Sequence, residues 1–354
     1  MQTTHQIYFK NSSEMEELDS NSIDLMITSP PYPMIEMWDS HFSKANEEIE
    51  DTLVEGNGKR AYKLMHIELN KVWKEVTRVL KFGGMACINI GDATRKINNS
   101  FQLFPNHIDI ANFFHDNDFI ELPSILWCKP TNSPNKFLGS GMLPPNAYVT
   151  LEHEYILIFR KGKKRRIIPP KSENRYNSAF FWEERNKWFS DVWDDVRGIN
   201  QKMNQNNEDQ VYFRNRSAAF PVEIPYRLIN MYSIYEDYIL DPFWGTGTTS
   251  LAAMILGRNS IGYELNSEFM TMFKTIIKNV KKMNREINES RIGNHIKFIH
   301  NFIEEGKELK YKSSHYKFPV MTNQEVNILL YLIEHYKENQ NNFKVDYEKF
   351  IFND

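Results

Sequence analysis

The chain has 354 residues, 41% of them apolar and 25% charged, enough to bury the core of one large domain or two ordinary ones. Its formal charge of −3 excludes a wholesale nucleic-acid coat but leaves room for a local basic surface. The sequence has no apolar run of membrane-spanning length, no signal-peptide pattern at its start, two cysteines (Cys87, Cys128) in apolar runs and ten scattered histidines, which together predict no membrane anchor, disulfide scaffold or metal site and fit a reducing cytoplasm.

Seven short segments have the β-branched and apolar content of strands: residues 22–28, 85–91, 120–129, 154–161, 238–243, 260–265 and 296–301. The first runs directly into Ser29-Pro30-Pro31-Tyr32, which sets a hydroxyl, two prolines and an aromatic ring at the end of a buried strand. Residues 33–60 follow as a long acidic connection, a length that usually means function or disorder. Residues 61–84 carry apolar side chains at three- and four-residue steps and predict a helix stopped by Gly83-Gly84. Asp92, ending the next strand, reads as ordinary turn chemistry as readily as a pocket residue.

From Arg160 to Arg175, eight Lys or Arg stand against one Glu, a local charge of +7 that alone reads as a solvated loop. Residues 162–214 are basic, aromatic and rich in Asn and Gln, with no clean period. A helix is predicted at 221–233, opening on Pro221, another after the glycines near 247, and a long one over 267–287 with Ser267 as its N-cap. Beyond about residue 306 the tail is charged, and its amphipathic segment 323–336 predicts a packing helix. Strands alternating with helices predict an α/β fold with a doubly wound, mostly parallel sheet.

The densest signal is residues 238–266. A strand ends at Asp241-Pro242-Phe243, a turn holds Gly245 and Gly247, Thr248 opens a helix of small residues, and the following strand ends at Glu264. Ligands of doubly wound sheets sit outside the carboxyl ends of the strands. Glycine lets the backbone come close, and an acid at the next strand end accepts hydrogen bonds from ribose hydroxyls. The dinucleotide fingerprint needs a third glycine where Ser250 stands. Asp241 and Glu264 would repel phosphates and suit a cationic ligand with free hydroxyls, an adenosine carrying a sulfonium.

The Ser29-Pro30-Pro31-Tyr32 motif and the Phe243-x-Gly245-x-Gly247 turn together resemble those of the amino-methylating DNA methyltransferases that use S-adenosylmethionine. The order of the two motifs resembles the β group, a circular permutation of the usual sheet. The segment NRSAAFPVEIPYRLI resembles the family's stretch before the cofactor strand, with Phe220 and Pro221 at the usual positions, while HEYILIFRKG and SDVWDDV resemble the flanks of its target-recognition region. The resemblance covers about residues 5 to 302 and leaves the tail unexplained. It implies a seven-stranded Rossmann-like methyltransferase sheet divided into a catalytic half (1–161), a target-recognition region (162–214), a cofactor-binding half (215–305) and a helical extension (306–354). It also implies catalysis by Ser29, Pro30, Pro31 and Tyr32. Phe220, Pro221, Asp241, Pro242, Phe243, Gly245, Gly247, Thr248 and Glu264 would bind the cofactor. The implied partners are double-stranded DNA and a restriction endonuclease acting on the same site in a prokaryotic cytoplasm, although a solitary regulatory methylase shares these motifs.

The residue chemistry is consistent with this. An exocyclic amine is a poor nucleophile because its lone pair is conjugated into the ring; acceptors aimed at its N–H groups would turn it toward a methyl donor. Proline stiffens the backbone that carries such acceptors, and Tyr32 offers a flat face for an extruded base. No metal and no covalent intermediate are required. Serine at the first motif position resembles the cytosine-N4 subgroup, with adenine N6 as the alternative; methylation at cytosine carbon 5 needs a cysteine nucleophile, and neither cysteine follows a proline. Lys161, Lys163, Lys164, Arg165 and Arg166 are the expected phosphate contacts, and Arg175, Arg185 and Arg197 the expected base readers, with residues 130–150 as a further candidate. The rival readings are an inactive DNA-binding module and a nicotinamide-dependent dehydrogenase.

Overall fold

Every residue of Ile23–Thr28 is buried, as expected of a parallel strand covered on both faces. The computed structural model, which describes residues 1–129, 138–196 and 220–352, sets this strand near the middle of a ten-stranded sheet. The strands are β1 (Gln2–Tyr8), β2 (Ile23–Thr28), β3 (Leu80–Ile90), β4 (Phe119–Cys128), β5 (His153–Lys161), β6 (Val192–Trp193), β7 (Tyr238–Asp241), β8 (Asn259–Tyr263), β9 (Tyr331–Asn339) and β10 (Asn342–Lys349), in the spatial order β6-β4-β5-β3-β2-β7-β8-β1-β10-β9. The run from β3 through β2, β7 and β8 to β1 is parallel; β5 is antiparallel between β3 and β4. The fold is therefore the mostly parallel, doubly wound α/β sheet that the sequence predicts.

Helices cover both faces. The main ones are α1 (Asp39–Ala45), α2 (Glu48–Val54), α3 (Gly58–Val79), α4 (Asn106–His115), α5 (Trp182–Trp188), α6 (Glu223–Tyr232), α7 (Thr248–Ile255), α8 (Glu268–Ile277) and α9 (Val280–Glu304). Neighbouring residues of a strand point to opposite faces. Met26, Ala86 and Ile88 accordingly pack with Met65, Leu69, Trp73 and Val76 of α3 and Phe114 of α4. Leu25, Ile27, Met85 and Cys87 pack on the other face with Ile224, Leu228, Leu251, Phe273 and Val280. Trp73 is wholly buried; cutting it back to alanine would cost roughly 3–5 kcal/mol. Among the described residues no helix is long and apolar enough to cross a membrane.

Several sequence expectations are corrected. Residues 296–301 lie inside α9, where Ile292, His295 and Ile299 are buried at helical spacing; the β-branched content misled because one face of a buried helix has the same composition. The seventh strand of the core is instead β1, whose inward residues Thr3 and His5 are polar but satisfied: Thr3 Oγ1 lies 2.9 Å from His5 Nε2 and 3.0 Å from the Tyr347 hydroxyl, and His5 Nδ1 lies 2.8 Å from Ser260 Oγ. The extension expected to be helical forms the hairpin β9–β10, which adds to β1. Phe343, Val345 and Tyr347 alternate inward along it, a strand period. The predicted helix over 267–287 is two, α8 and α9; Ser267 does stand at the N-cap position of α8, but its side chain makes no cap bond, and the Asn266 side chain accepts from the Glu268 N–H instead. Helix α3 ends at Val79, before the predicted Gly83-Gly84 stop, and those glycines lie in β3. Residues 33–60 are not an open loop; they carry α1, α2 and the start of α3.

Candidate active site

The carboxyl ends of β2, β7 and β8 open into one cleft of about 560 Å³, within the size range of small-molecule sites. Ser29, Pro30 and Pro31 form part of its wall, and Phe220, Asp241, Pro242, Phe243, Gly245, Thr248 and Glu264 form another. The two motifs, far apart in sequence, thus meet because β2 and β7 are neighbours. Asp241 fixes the joint. Its Oδ1 accepts from Thr28 Oγ1 at 2.6 Å and from the Phe243 N–H at 3.1 Å, and its Oδ2 accepts from Thr249 Oγ1 at 2.7 Å. Burial raises this carboxyl from its ordinary 3.8 to about 6, against the pull of those three donors.

Glu264 occupies the end of β8. Its Oε2 accepts from the Gly245 N–H at 2.9 Å, and its Oε1 accepts from the Leu265 and Asn266 N–H groups at 2.8 and 2.9 Å. A carboxylate has about four lone-pair positions, so three are used by backbone and one remains on Oε2. Burial also raises its pKa.

The two turn glycines differ. Gly245 has a φ of +52°, and a Cβ there would meet only Phe243 O at 3.9 Å; its backbone is bare toward open space. Gly247 has a φ of +80°, and a Cβ would lie 2.4 Å from Phe273 and 2.7 Å from Trp244. A side chain has no room there, and Gly247 is not among the residues that line the cleft. Ser250, in place of a third glycine, accepts from Trp244 Nε1 at 2.9 Å.

Tyr32 stands beside this wall with its hydroxyl pinned. It donates to Glu154 Oε2 at 2.9 Å, accepts from Asn89 Nδ2 at 2.9 Å and lies 3.1 Å from Ser29 Oγ. Gly91 makes room for it, since a Cβ there would be 3.0 Å from the Tyr32 ring. Sequence reasoning missed Asn89, Gly91 and Glu154, although all three lie at the cleft ends of β3 and β5, where a motif-by-motif reading does not look. Asp92 instead accepts from the His107 N–H at 3.2 Å and serves the start of α4. The cleft wall also includes Lys10, Ser12, Trp38, His41 and Phe42, supplied by segments with no motif.

The expected DNA contacts are not gathered here. Arg165 forms a two-pronged pair with Asp237 at 2.6 and 2.8 Å and lies 3.3 Å from Asp24. Lys161 Nζ donates to Thr77 O and Leu80 O at 2.6 and 2.7 Å, closing the end of α3. Asp24, Asp237 and Leu80 stand at the starts of β2, β7 and β3, so this is the end of the sheet opposite the cleft. Assigning Lys161 and Arg165 to phosphate is corrected on that ground: both side chains are consumed in the fold. Lys163, Lys164 and Arg166 are exposed between or beside them. Arg175 is exposed and donates to Pro170 O, and Arg185 lies over the Phe189 ring. Within the 162–196 part of the expected target-recognition region, Val192–Trp193 joins the sheet beside β4, and α5 is tied to later elements through Glu184 with Arg291 at 2.6 Å and the Trp182 N–H with Glu325 at 2.8 Å. Arg197 lies outside the described residues.

With the cleft and its walls so arranged, residues 23–275 match the N6/N4 family of DNA methylases. The chain belongs to that family. This methylase is 54% identical to the Type II methyltransferase M.MthZI of Methanothermobacter thermautotrophicus, over 97% of its own length and 94% of the relative's. It is 52% identical to the Type II methyltransferase M.MjaI of Methanocaldococcus jannaschii over 75% and 88%. Among solved structures, a DNA modification methylase of Thermus thermophilus, complexed with S-adenosyl-L-methionine, superimposes with a TM-score of 0.59 at 29% identity, covering 78% of this methylase and 94% of that chain. The PvuII DNA methyltransferase (cytosine-N4-specific) shares the fold at a TM-score of 0.52 and 19% identity, over 80% and 93%.

Proposed function

We propose that this methylase transfers a methyl group from S-adenosylmethionine to the exocyclic N4 amine of a cytosine turned out of duplex DNA, as the modification half of a Type II restriction–modification pair. The observation that carries the reading is the single cleft lined both by Ser29-Pro30-Pro31 and by Asp241, Phe243, Gly245 and Glu264.

The donor set fits that cofactor. Gly245 offers bare backbone, Glu264 keeps one free lone pair for a ribose hydroxyl, and Phe243, Leu265 and Phe269 give apolar surface to an adenine ring. When bound, S-adenosylmethionine supplies an electrophilic methyl carbon on a sulfonium. The buried Asp241 carboxylate favours that positive charge above about pH 6, where it is ionised. Ser29 accepts from the target amine and draws its nitrogen out of conjugation, the stiff Pro30-Pro31 backbone holds that acceptor still, and the Tyr32 ring supports the everted base. Positioning accounts for most of the acceleration.

In this reading DNA lies over the cleft end of the sheet, against residues 93–104 and 138–152, rather than against residues 161–166. The exposed Lys96 suits phosphates there. Serine at position 29 favours cytosine over adenine. Modified-base sequencing of genomic DNA from cells expressing the chain is the test, and N4-methylcytosine at one short site is the expected outcome. N6-methyladenine would move the assignment to the alternative acceptor, and unmodified DNA would overturn the reading.

A further inference from the structure

We infer that Glu154 is a positioning residue that sets the direction of the Ser29 hydroxyl, an inference resting on the amine-methylating reading above. It follows from counting donors and acceptors around one phenol oxygen. The Glu154 carboxylate is buried. Its Oε2 accepts from the Tyr32 hydroxyl at 2.9 Å and from Asn89 Nδ2 at 2.7 Å, and its Oε1 accepts from Lys129 Nζ at 2.7 Å. An ionised carboxylate can only accept, so the one phenol proton is committed to Glu154.

Tyr32 Oη then has two lone pairs. One accepts from Asn89 Nδ2 at 2.9 Å. Ser29 Oγ lies 3.1 Å away, and with the phenol proton already spoken for, Ser29 must be the donor in that contact. Its proton is turned away from the cleft and both of its lone pairs are left facing outward. Ser29 therefore meets a ligand as a pure acceptor, the polarity an exocyclic –NH₂ requires; a ring acceptor such as cytosine N3 finds no donor there. Burial, reinforced by the adjacent Glu154 charge, raises the Tyr32 phenol well above its ordinary range, which keeps the relay's first proton in place.

Glu154→Gln reverses the relay at nearly constant shape. The amide oxygen stays on Lys129 and the –NH₂ turns to Tyr32. The Asn89 Oδ1, which has no partner among the described residues, turns to accept from it. Tyr32 then donates to Ser29, and the Ser29 proton enters the cleft. The experiment follows transfer of labelled methyl from S-adenosylmethionine to unmodified, PCR-amplified duplex DNA. Glu154→Gln is expected to lower kcat about tenfold, with KM for cofactor and for DNA changed less than about twofold. Tyr32→Phe, which keeps the ring but breaks the relay, should make Glu154→Gln silent when the two are combined. The same fold loss from Glu154→Gln in both backgrounds, an unchanged kcat, or a loss confined to KM overturns the inference while leaving the parent reading intact. A wild-type chain that labels no duplex overturns both.

Discussion

Asp24 and Asp237 at one end of the sheet and Asp241 and Glu264 at the other are held in opposite ways. At the far end, Asp24 and Asp237 are met by full charges, Lys81 at 2.8 Å and Arg165 at 2.6 Å. At the cleft end, Asp241 is met by two threonine hydroxyls and a backbone N–H, and Glu264 by three backbone N–H groups. Neutral donors orient a carboxylate without cancelling its charge, so the wall formed by Asp241 and Glu264 keeps negative potential for a cationic ligand, whereas Glu154 nearby is paired with Lys129. The far end has spent its charge on the fold. A basic run in sequence is therefore no guide by itself to a basic binding face: Lys161 and Arg165 of the +7 stretch lie at the end of the sheet opposite the cleft.

Substitutions at either end test this contrast. The largest effect is expected from Gly247→Val, which drives carbon atoms into Phe273 and Trp244 at a left-handed backbone position. It should cost more than about 3 kcal/mol in urea unfolding and remove cofactor binding with it. At the far end, Arg165→Ala strands Asp237. Because Arg165 is itself nearly a third exposed, the loss should be about 2 kcal/mol, less than for a fully buried pair, with kcat unchanged in the methyl-transfer assay.

Asp241→Asn probes the cleft side. A carboxyl whose folded pKa is raised to about 6 from 3.8 stabilises the fold fully below pH 3.8, and that contribution is lost as pH rises through about 6. Asparagine should therefore flatten the fall in stability across this interval. Calorimetric titration at pH 8 should show S-adenosylmethionine binding about tenfold weaker, equivalent to about 1.4 kcal/mol, and the wild-type gain in affinity above pH 6 should vanish. The smallest effect is expected from the double variant Lys163→Ala, Lys164→Ala: less than about a twofold change in DNA affinity and no change in its salt slope.

Much of the site is legible in the sequence because strand ends announce themselves. Thr28-Ser29-Pro30 stops one strand with prolines, and Asp241 through Gly247 stops another with glycines. What escaped was of two kinds. Thr3 and His5 look too polar for an inner strand, and only their partners Tyr347 and Ser260, more than 250 residues away, make their burial tolerable. Glu154 and Asn89 sit in ordinary-looking strands, and their meaning depends on Tyr32 lying across from both. Arg165 misled for the converse reason: its charge is visible in the sequence and its consumption by Asp237 is not.

The Thr28–Asp241–Thr249 clasp has a bearing on how such a chain can change over time. It spans 213 residues of sequence in a single 2.6 Å contact, so the spacing between the Ser29-Pro30-Pro31 turn and the Phe243–Gly247 turn belongs to neighbouring strands and not to the polypeptide linking them. Insertions, deletions or new termini in that intervening length can therefore be accommodated while the two turns stay in register.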